Sequence, residues 1–150
     1  MALPTHIDLQ IVTPDKLVVR ERVDEVEVPG SEGYFGVLPG HTPLLAALGI
    51  GELWYRKGAE TRYLAIAFGF AEVLADSVTI LAEHAERAED IDVARAQAEL
   101  ARAEERIPRG GHEPEVEQAR KARLKAINRL QVASRIGVNP GGRGQVRAQG

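Results

Sequence analysis

The 150-residue chain contains no cysteine, which excludes disulfides, thiolate metal ligands and cysteine nucleophiles. It has no apolar run approaching the roughly 18 residues that would suggest a membrane-crossing helix. Its first residues, Met1-Ala2-Leu3-Pro4-Thr5, lack the basic-then-apolar pattern of a secretory signal. These absences lead us to expect a cytoplasmic protein. Histidine is scarce: His6, His41, His84 and His112 fall on four separate segments with no metal-ligand spacing. No serine sits in G-x-S-x-G, and adjacent carboxylates such as Glu104 and Glu105 read as a solvated helix face. Acid is missing from one end altogether. After Glu117 there is no Asp or Glu, while Arg120, Lys121, Arg123, Lys125, Arg129, Arg135, Arg143 and Arg147 give that segment a charge of +8. The whole chain is −3, so the part before it carries −11. Such polarity calls for an acidic partner, or for folding back onto the acidic remainder.

What is present is ordinary for a folded domain: 44% hydrophobic and 27% charged residues. The length suits one domain, or one with a small appendage, and allows a single hydrophobic core.

The first 85 or so residues read as strands. Ile7, Leu9 and Ile11 alternate with Asp8 and Gln10, the period of a half-buried strand. Leu17–Val19 and Val23–Val28 follow, separated by the charged Arg20-Glu21-Arg22. Between Val28 and Leu48, four glycines and three prolines demand a definite backbone path, read as two tight turns around a short strand, Tyr34–Leu38. Leu44–Leu48 comes next, and Gly49 and Gly51 argue for another turn. Leu53–Arg56 with Arg62–Ala67, and Phe70–Leu74 with Val78–Ala82, read as two hairpins. Trp54 and Tyr55 are expected to pack. Turns every eight to twelve residues suggest a sandwich of two antiparallel sheets.

From Glu86 to Ile107 the chain is rich in Ala, Glu and Arg without Gly or Pro, which predicts a helix capped by Asp90 or Asp92. Val93, Leu100 and Ile107, with Ala96 and Ala103 between them, form its apolar stripe. Pro108–Pro114 turns the chain. A second helix is expected from about Glu115 to Ile136, with Gly137 as its cap and an acidic first turn and basic later turns that suit its dipole. Its stripe is Val116, Ala119, Ala126, Leu130 and Ala133. The fold class is therefore α+β: an N-terminal antiparallel β-sandwich over 1–86, an antiparallel two-helix hairpin over 87–137, and a disordered Gly/Arg-rich tail over 138–150. Alanine-lined stripes bury little area, so the hairpin should rest weakly on the sandwich.

The glycine-rich segment contains neither G-x-x-x-x-G-K-[ST] nor a G-x-G-x-x-G that opens a helix, which excludes a catalytic phosphate loop. His41, inside it, reads as a hydrogen-bonded turn residue. The segment does carry Gly30, Ser31, Glu32, Gly33, Gly36, Val37, Pro39, Gly40, His41, Pro43, Leu44 and Leu45. Those residues closely resemble the G-S-E-G-x-x-G-[VI]-x-P-G-H-x-P-L-L run of the epsilon subunit of bacterial F-type ATP synthases. The resemblance extends from about Ile7 to Ile136. It implies a non-catalytic central-stalk subunit on the cytoplasmic face of the bacterial inner membrane, with membrane contact only through the complex. The implied partners are the gamma subunit, the c-ring and the alpha-beta catalytic head. Glu32, Gly33, Tyr34 and His41 match the part that faces the ring. The helices are similar to the family's inhibitory element, whose Arg120, Arg123 and Arg135 would meet acidic surfaces of the head.

Ile91-Asp92-Val93-Ala94-Arg95-Ala96 resembles the [IL]-D-x-x-R-A motif with which some epsilon subunits bind ATP. By that resemblance Glu86, Ile91, Asp92, Arg95, Ala96, Arg102, Lys125 and Arg129 form a regulatory nucleotide site. ATP is then a weak regulatory ligand and no cofactor is required. Arg95 and Arg102 lie two turns apart on one helix face. Lys125 stands where strong binders have arginine, and lysine lacks the planar fork that grips phosphate in two places. From the residues alone, Asp92 and Arg95 also read as a helix cap with an ion pair. The competing reading of the chain is a nucleic-acid or anionic-surface binder using the basic helix. The acidic remainder and the lack of aromatics on that helix count against it.

Overall fold

The computed structural model describes residues 3–107 and 113–136. The expected tail, the Gly137 cap and most of the turn between the helices lie outside them. Seven strands come first: β1 (Ile7–Val12), β2 (Leu17–Val23), β3 (Glu25–Gly30), β4 (Gly33–Val37), β5 (Leu44–Lys57), β6 (Glu60–Val73) and β7 (Ser77–Arg87). A single 3-10 turn at Ala88–Asp90 leads to α1 (Val93–Arg106) and α2 (Glu113–Ala133).

The strands form one hydrogen-bonded sheet in the order β2-β1-β7-β6-β5-β3-β4. Only Asp24 separates β2 from β3, yet they lie towards opposite ends of that order, so the sheet must fold over on itself. This makes the sandwich, and it corrects the expectation of two separate sheets. It also explains why the charged triplet does not end β2. Arg20, Glu21 and Arg22 pair with Gln10, Leu9 and Asp8, and Glu21 points inward between Val19 and Val23, where the Tyr55 phenol donates to its Oε2 at 2.7 Å. Pairing is antiparallel throughout except between β1 and β7, which run parallel.

Two of the expected hairpins are longer than the local signals suggest, and one expected turn is absent. β5 runs straight through Gly49 and Gly51, and β6 through Phe68 and Gly69. These residues mark a bend in a continuous pair of strands. The ladder is regular from Leu44↔Val73 to Leu48↔Gly69, and resumes at Ile50↔Ala67. Glycine serves here as a kink within a strand. A Cβ at Gly51 would strike the Tyr34 hydroxyl and the Pro29 ring, and one at Gly69, whose φ is +125°, would strike the Leu81 backbone. Phe68 itself adopts φ +61°, an uncommon conformation for an aromatic residue.

One core fills the sandwich, built from strand residues between Ile7 and Ala85, with Tyr55, Leu53, Leu64 and Ile66 among its most buried members. A second, smaller cluster joins Tyr63, Ala65, Ala88, Ile91 and Trp54 to Val132 and Ala133 of α2. Tyr55 and Trp54 thus pack, as expected. Glu86 and Arg87, assigned by composition to the helix, continue β7 because they pair with Ala65 and Leu64; tertiary pairing overrides a weak propensity. The helix starts instead at the Asp92 cap, whose Oδ1 accepts the Arg95 N–H at 3.0 Å. α2 ends at Ala133, so its last turn holds no basic residue and the expected dipole complement is missing there.

Burial first, and then the Glu21 hydrogen bond, push the Tyr55 phenol up from 10.0 to about 12; the same bond holds the Glu21 carboxyl below its usual value of 4.5. A raised tyrosine pKa stabilises the fold below pH 10, and that contribution is lost as pH rises through about 12. Glu21 acts in the opposite direction: its contribution holds above pH 4.5 and fades as pH falls through the lowered value. Tyr55→Phe should cost about 1.5 kcal/mol at neutral pH and remove the loss of stability above pH 10. Urea midpoints measured between pH 7 and 12 check this; an unchanged alkaline profile would assign that loss to other groups.

Candidate functional site

α1 packs on α2, and α2 lies between α1 and the sandwich. Ala96 and Ala103 of α1 and Ala119 and Ala126 of α2 are buried along this arrangement. The larger members of the expected stripe contribute less: Val93 is 42% exposed, and Leu100, Ile107 and Val116 are half-buried. Small side chains allow close helix approach but bury little apolar area. Polar groups therefore do much of the fastening between α2 and the sandwich.

Three such tethers stand near the end of the second helix, two on adjacent residues and one just beyond it. The buried Asn128 amide donates from Nδ2 to the Gly51 carbonyl at 2.9 Å and to the Ile66 carbonyl at 3.5 Å. Arg129 donates from Nε and Nη2 to both oxygens of Glu86 at 2.7 and 3.3 Å, and from Nη1 to Glu99 at 2.6 Å. Burial opposes the Arg129 charge, but Glu86 and Glu99 outweigh it and raise the pKa. Arg135 grips Glu52 with two bonds of 2.9 and 3.1 Å and lies 5.1 Å from the centre of the Tyr63 ring. Its charge is favoured first by the Glu52 hydrogen bond, which raises its pKa.

A cleft of about 340 Å³ opens where α1, α2 and β6–β7 meet. Glu86, Arg95, Lys125 and Arg129 line it, joined by His84, Glu99 and Asn128. Four of the eight residues expected in a nucleotide site are therefore brought together. Ile91 is buried in the cluster beneath α2, Asp92 caps α1, and Ala96 is wholly buried; none of these three lines the cleft. Arg102 is exposed and does not line the cleft. The Asp92–Arg95 pairing is a backbone cap; the Arg95 guanidinium approaches Glu99 instead, at 3.9 Å. Lys125 lies 5.4 Å above the Phe68 ring, a cation–π contact.

Glu32, Gly33 and Tyr34 are exposed at the β3–β4 turn. Tyr34 is anchored there, its hydroxyl accepting the Glu52 N–H at 3.1 Å. His41 is a turn residue, its Nδ1 2.6 Å from the Thr42 carbonyl. On α2 and just beyond it the arginines are engaged: Arg120 with Glu117, Arg123 with Glu104, and Arg129 and Arg135 as above. Among the described residues, these ion pairs already partner arginines that a polyanion would need. On the sandwich, Ala47, Phe70, Leu81 and Val12 face one another across four strands. With Leu45 they make an outer apolar patch, in which Leu45 is 72% and Phe70 56% exposed.

The sequence matches two family descriptions. Residues 6–88 match the beta-sandwich domain of the ATP synthase delta/epsilon chain, and residues 89–134 its long alpha-helix domain. The chain belongs to the ATP synthase delta/epsilon family. It is 58% identical over 106 residues to the ATP synthase epsilon chain of Koribacter versatilis, covering 71% of this chain and 75% of that one. It is 48% identical over 139 residues to ATP synthase epsilon chain 2 of Syntrophotalea carbinolica, covering 92% and 97%. In three dimensions it resembles a chain of the mitochondrial ATP synthase of Euglena gracilis, within an assembly of OSCP, F1 and c-ring. That likeness has a TM-score of 0.77 at 26% identity, over 89% of this chain and 84% of the other. The delta/epsilon fold places several residues that sequence reading did not single out. Asn128 and Glu52 form tethers, Glu99 and His84 line the cleft, and Phe68 lies beneath Lys125.

Asn128→Leu should leave the Gly51 carbonyl without its partner, at a cost of about 1–3 kcal/mol. Amides of α2 should then exchange roughly ten- to a hundredfold faster, while those of β1 and β7 hold. Equal exchange along α2 in both proteins would show that the amide does not fasten the hairpin.

Proposed function

We propose that this chain is the epsilon subunit of a bacterial F-type ATP synthase, a non-catalytic member of the central stalk on the cytoplasmic side of the membrane. The observation that carries this reading is the two-part construction: a sandwich with its own complete core, and a helical hairpin held to it by an alanine seam and three polar tethers. The sandwich is the anchor. Its Leu45–Phe70–Leu81 patch exposes three large apolar side chains on one face, the kind of surface that docks on another protein, and we assign it to the gamma subunit. The exposed turns carrying Glu32, Gly33, Tyr34 and His41 are assigned to the c-ring. The hairpin is the movable part. Asn128, Arg129 and Arg135 hold it down, and their release would free basic side chains for acidic surfaces of the alpha-beta head, restraining ATP hydrolysis. A docked and an extended state of similar free energy is what a ligand needs in order to bias a switch.

The cleft supplies the place for such a ligand. Arg95, Lys125 and Arg129 give it positive charge, and it touches α1, α2 and the sandwich together, so an occupant would favour the docked state. We assign Mg-ATP as that regulatory ligand. Arg95→Ala should abolish the calorimetric signal of a Mg-ATP titration of the full chain; an unaltered signal would remove Arg95 from the site. The wider reading is tested with ATP hydrolysis by an alpha-beta-gamma core. The full chain should inhibit, and a version ending after Ala88 should bind without inhibiting. Inhibition by both would move the brake into the sandwich, and binding by neither would overturn the assignment.

A further inference from the structure

A guanidinium has five N–H donors, and three of those on Arg129 are already taken by carboxylates. The two acids are not equivalent. Glu86 stands on β7, offers both oxygens, and fastens Arg129 to the sandwich. Glu99 stands on α1 and offers one oxygen, Oε1, which lies 2.6 Å from Nη1 of Arg129 and 3.9 Å from Nε of Arg95. That oxygen therefore sits between the two guanidiniums of the cleft, where an incoming anion would have to place its own. The side chain of Glu99 is one-third exposed, so it can rotate towards solvent without unfolding anything. Three cations, Arg95, Lys125 and Arg129, line the cleft against two carboxylates; removing one carboxylate doubles the net positive charge.

We propose that Glu99 is a built-in competitor for the ligand: its carboxylate occupies a phosphate position between Arg95 and Arg129, and a nucleotide polyphosphate enters by displacing it. The proposal rests on the nucleotide reading of the cleft and explains what sets its affinity. Charge-assisted hydrogen bonds are roughly twice as strong as neutral ones, so a neutral side chain at position 99 yields more easily to phosphate. The polyphosphate must out-compete an anion already in place, which keeps the wild-type site weak and favours the more highly charged nucleotide.

The test is a calorimetric titration of the full chain with Mg-ATP, using wild type, Glu99→Gln, Arg95→Ala and the Glu99→Gln/Arg95→Ala pair. Glu99→Gln keeps the shape of the side chain and loses its charge. It should bind about tenfold more tightly than wild type, and the gain should vanish when Arg95 is also removed. Equal affinity in Glu99→Gln and wild type would overturn the competitor role while leaving the nucleotide reading intact. Weaker binding by Glu99→Gln would overturn it too, because Glu99 would then be positioning Arg129 for the ligand. No binding by any of the four proteins would overturn the nucleotide reading and this proposal with it.

Discussion

The bend shared by β5 and β6 is the constraint on which most of the molecule depends. Each strand is 14 residues long, far more than one layer of a small sandwich needs. At Gly49–Gly51 and Phe68–Gly69 the pair turns from one layer into the other. The fold-over encloses the core, sets β2 against β5 so that Tyr55 reaches Glu21, and leaves a recess at Gly51 where Tyr34 and Pro29 close in. Pairing of β3 with β5 lapses there, between Glu27 and Gly30, and the Tyr34 hydroxyl takes up the Glu52 N–H. Beside the same recess the Gly51 and Ile66 carbonyls meet Asn128. The seat of the hairpin is therefore a product of how the sheet bends.

The hairpin shows how a docked element can be specific without being strongly held. A wide apolar interface would anchor α2 with several kcal/mol and make release rare. Alanine along the seam avoids that. The polar tethers fix position instead, since Asn128, Arg129 and Arg135 each demand particular partners. Partly buried ion pairs gain little net stability after desolvation, yet breaking one by removing a single partner is costly. Such contacts favour one docked geometry over near alternatives.

Legibility of the sequence varied with the range of the interaction. The alternation of Ile7, Leu9 and Ile11 announced β1, and the Ala/Glu/Arg-rich stretch announced α1, because both patterns reflect neighbours along the chain. Gly49, Gly51 and Gly69 were visible as special positions, but their local chemistry is the same for a reversal and for a kink. Glu86 and Arg87 look helical in isolation; pairing with Ala65 and Leu64 makes them strand. The charged Arg20-Glu21-Arg22 looked like an interruption, and the inward phenol of Tyr55, 34 residues away, made it a continuous strand. Arg95 of the motif lines the cleft, while Glu99, His84 and Asn128 beside it had no motif to mark them.

By itself the sequence determined the succession of strands and helices, the turn-rich segment between Val28 and Leu48 and the alanine character of the hairpin, all of which follow from periodicity, backbone permission and side-chain size acting over a few residues. The family was legible separately, in the resemblance of the run from Gly30 to Leu45. Only the tertiary structure decided that the sandwich is one folded sheet, that Arg129 lies between Glu86 and Glu99, and that Asn128 rests on the bend. Those contacts join positions 30 to 77 residues apart. Their geometry depends on strand register and on the angle at which α2 crosses β5 and β6, and no local pattern encodes either.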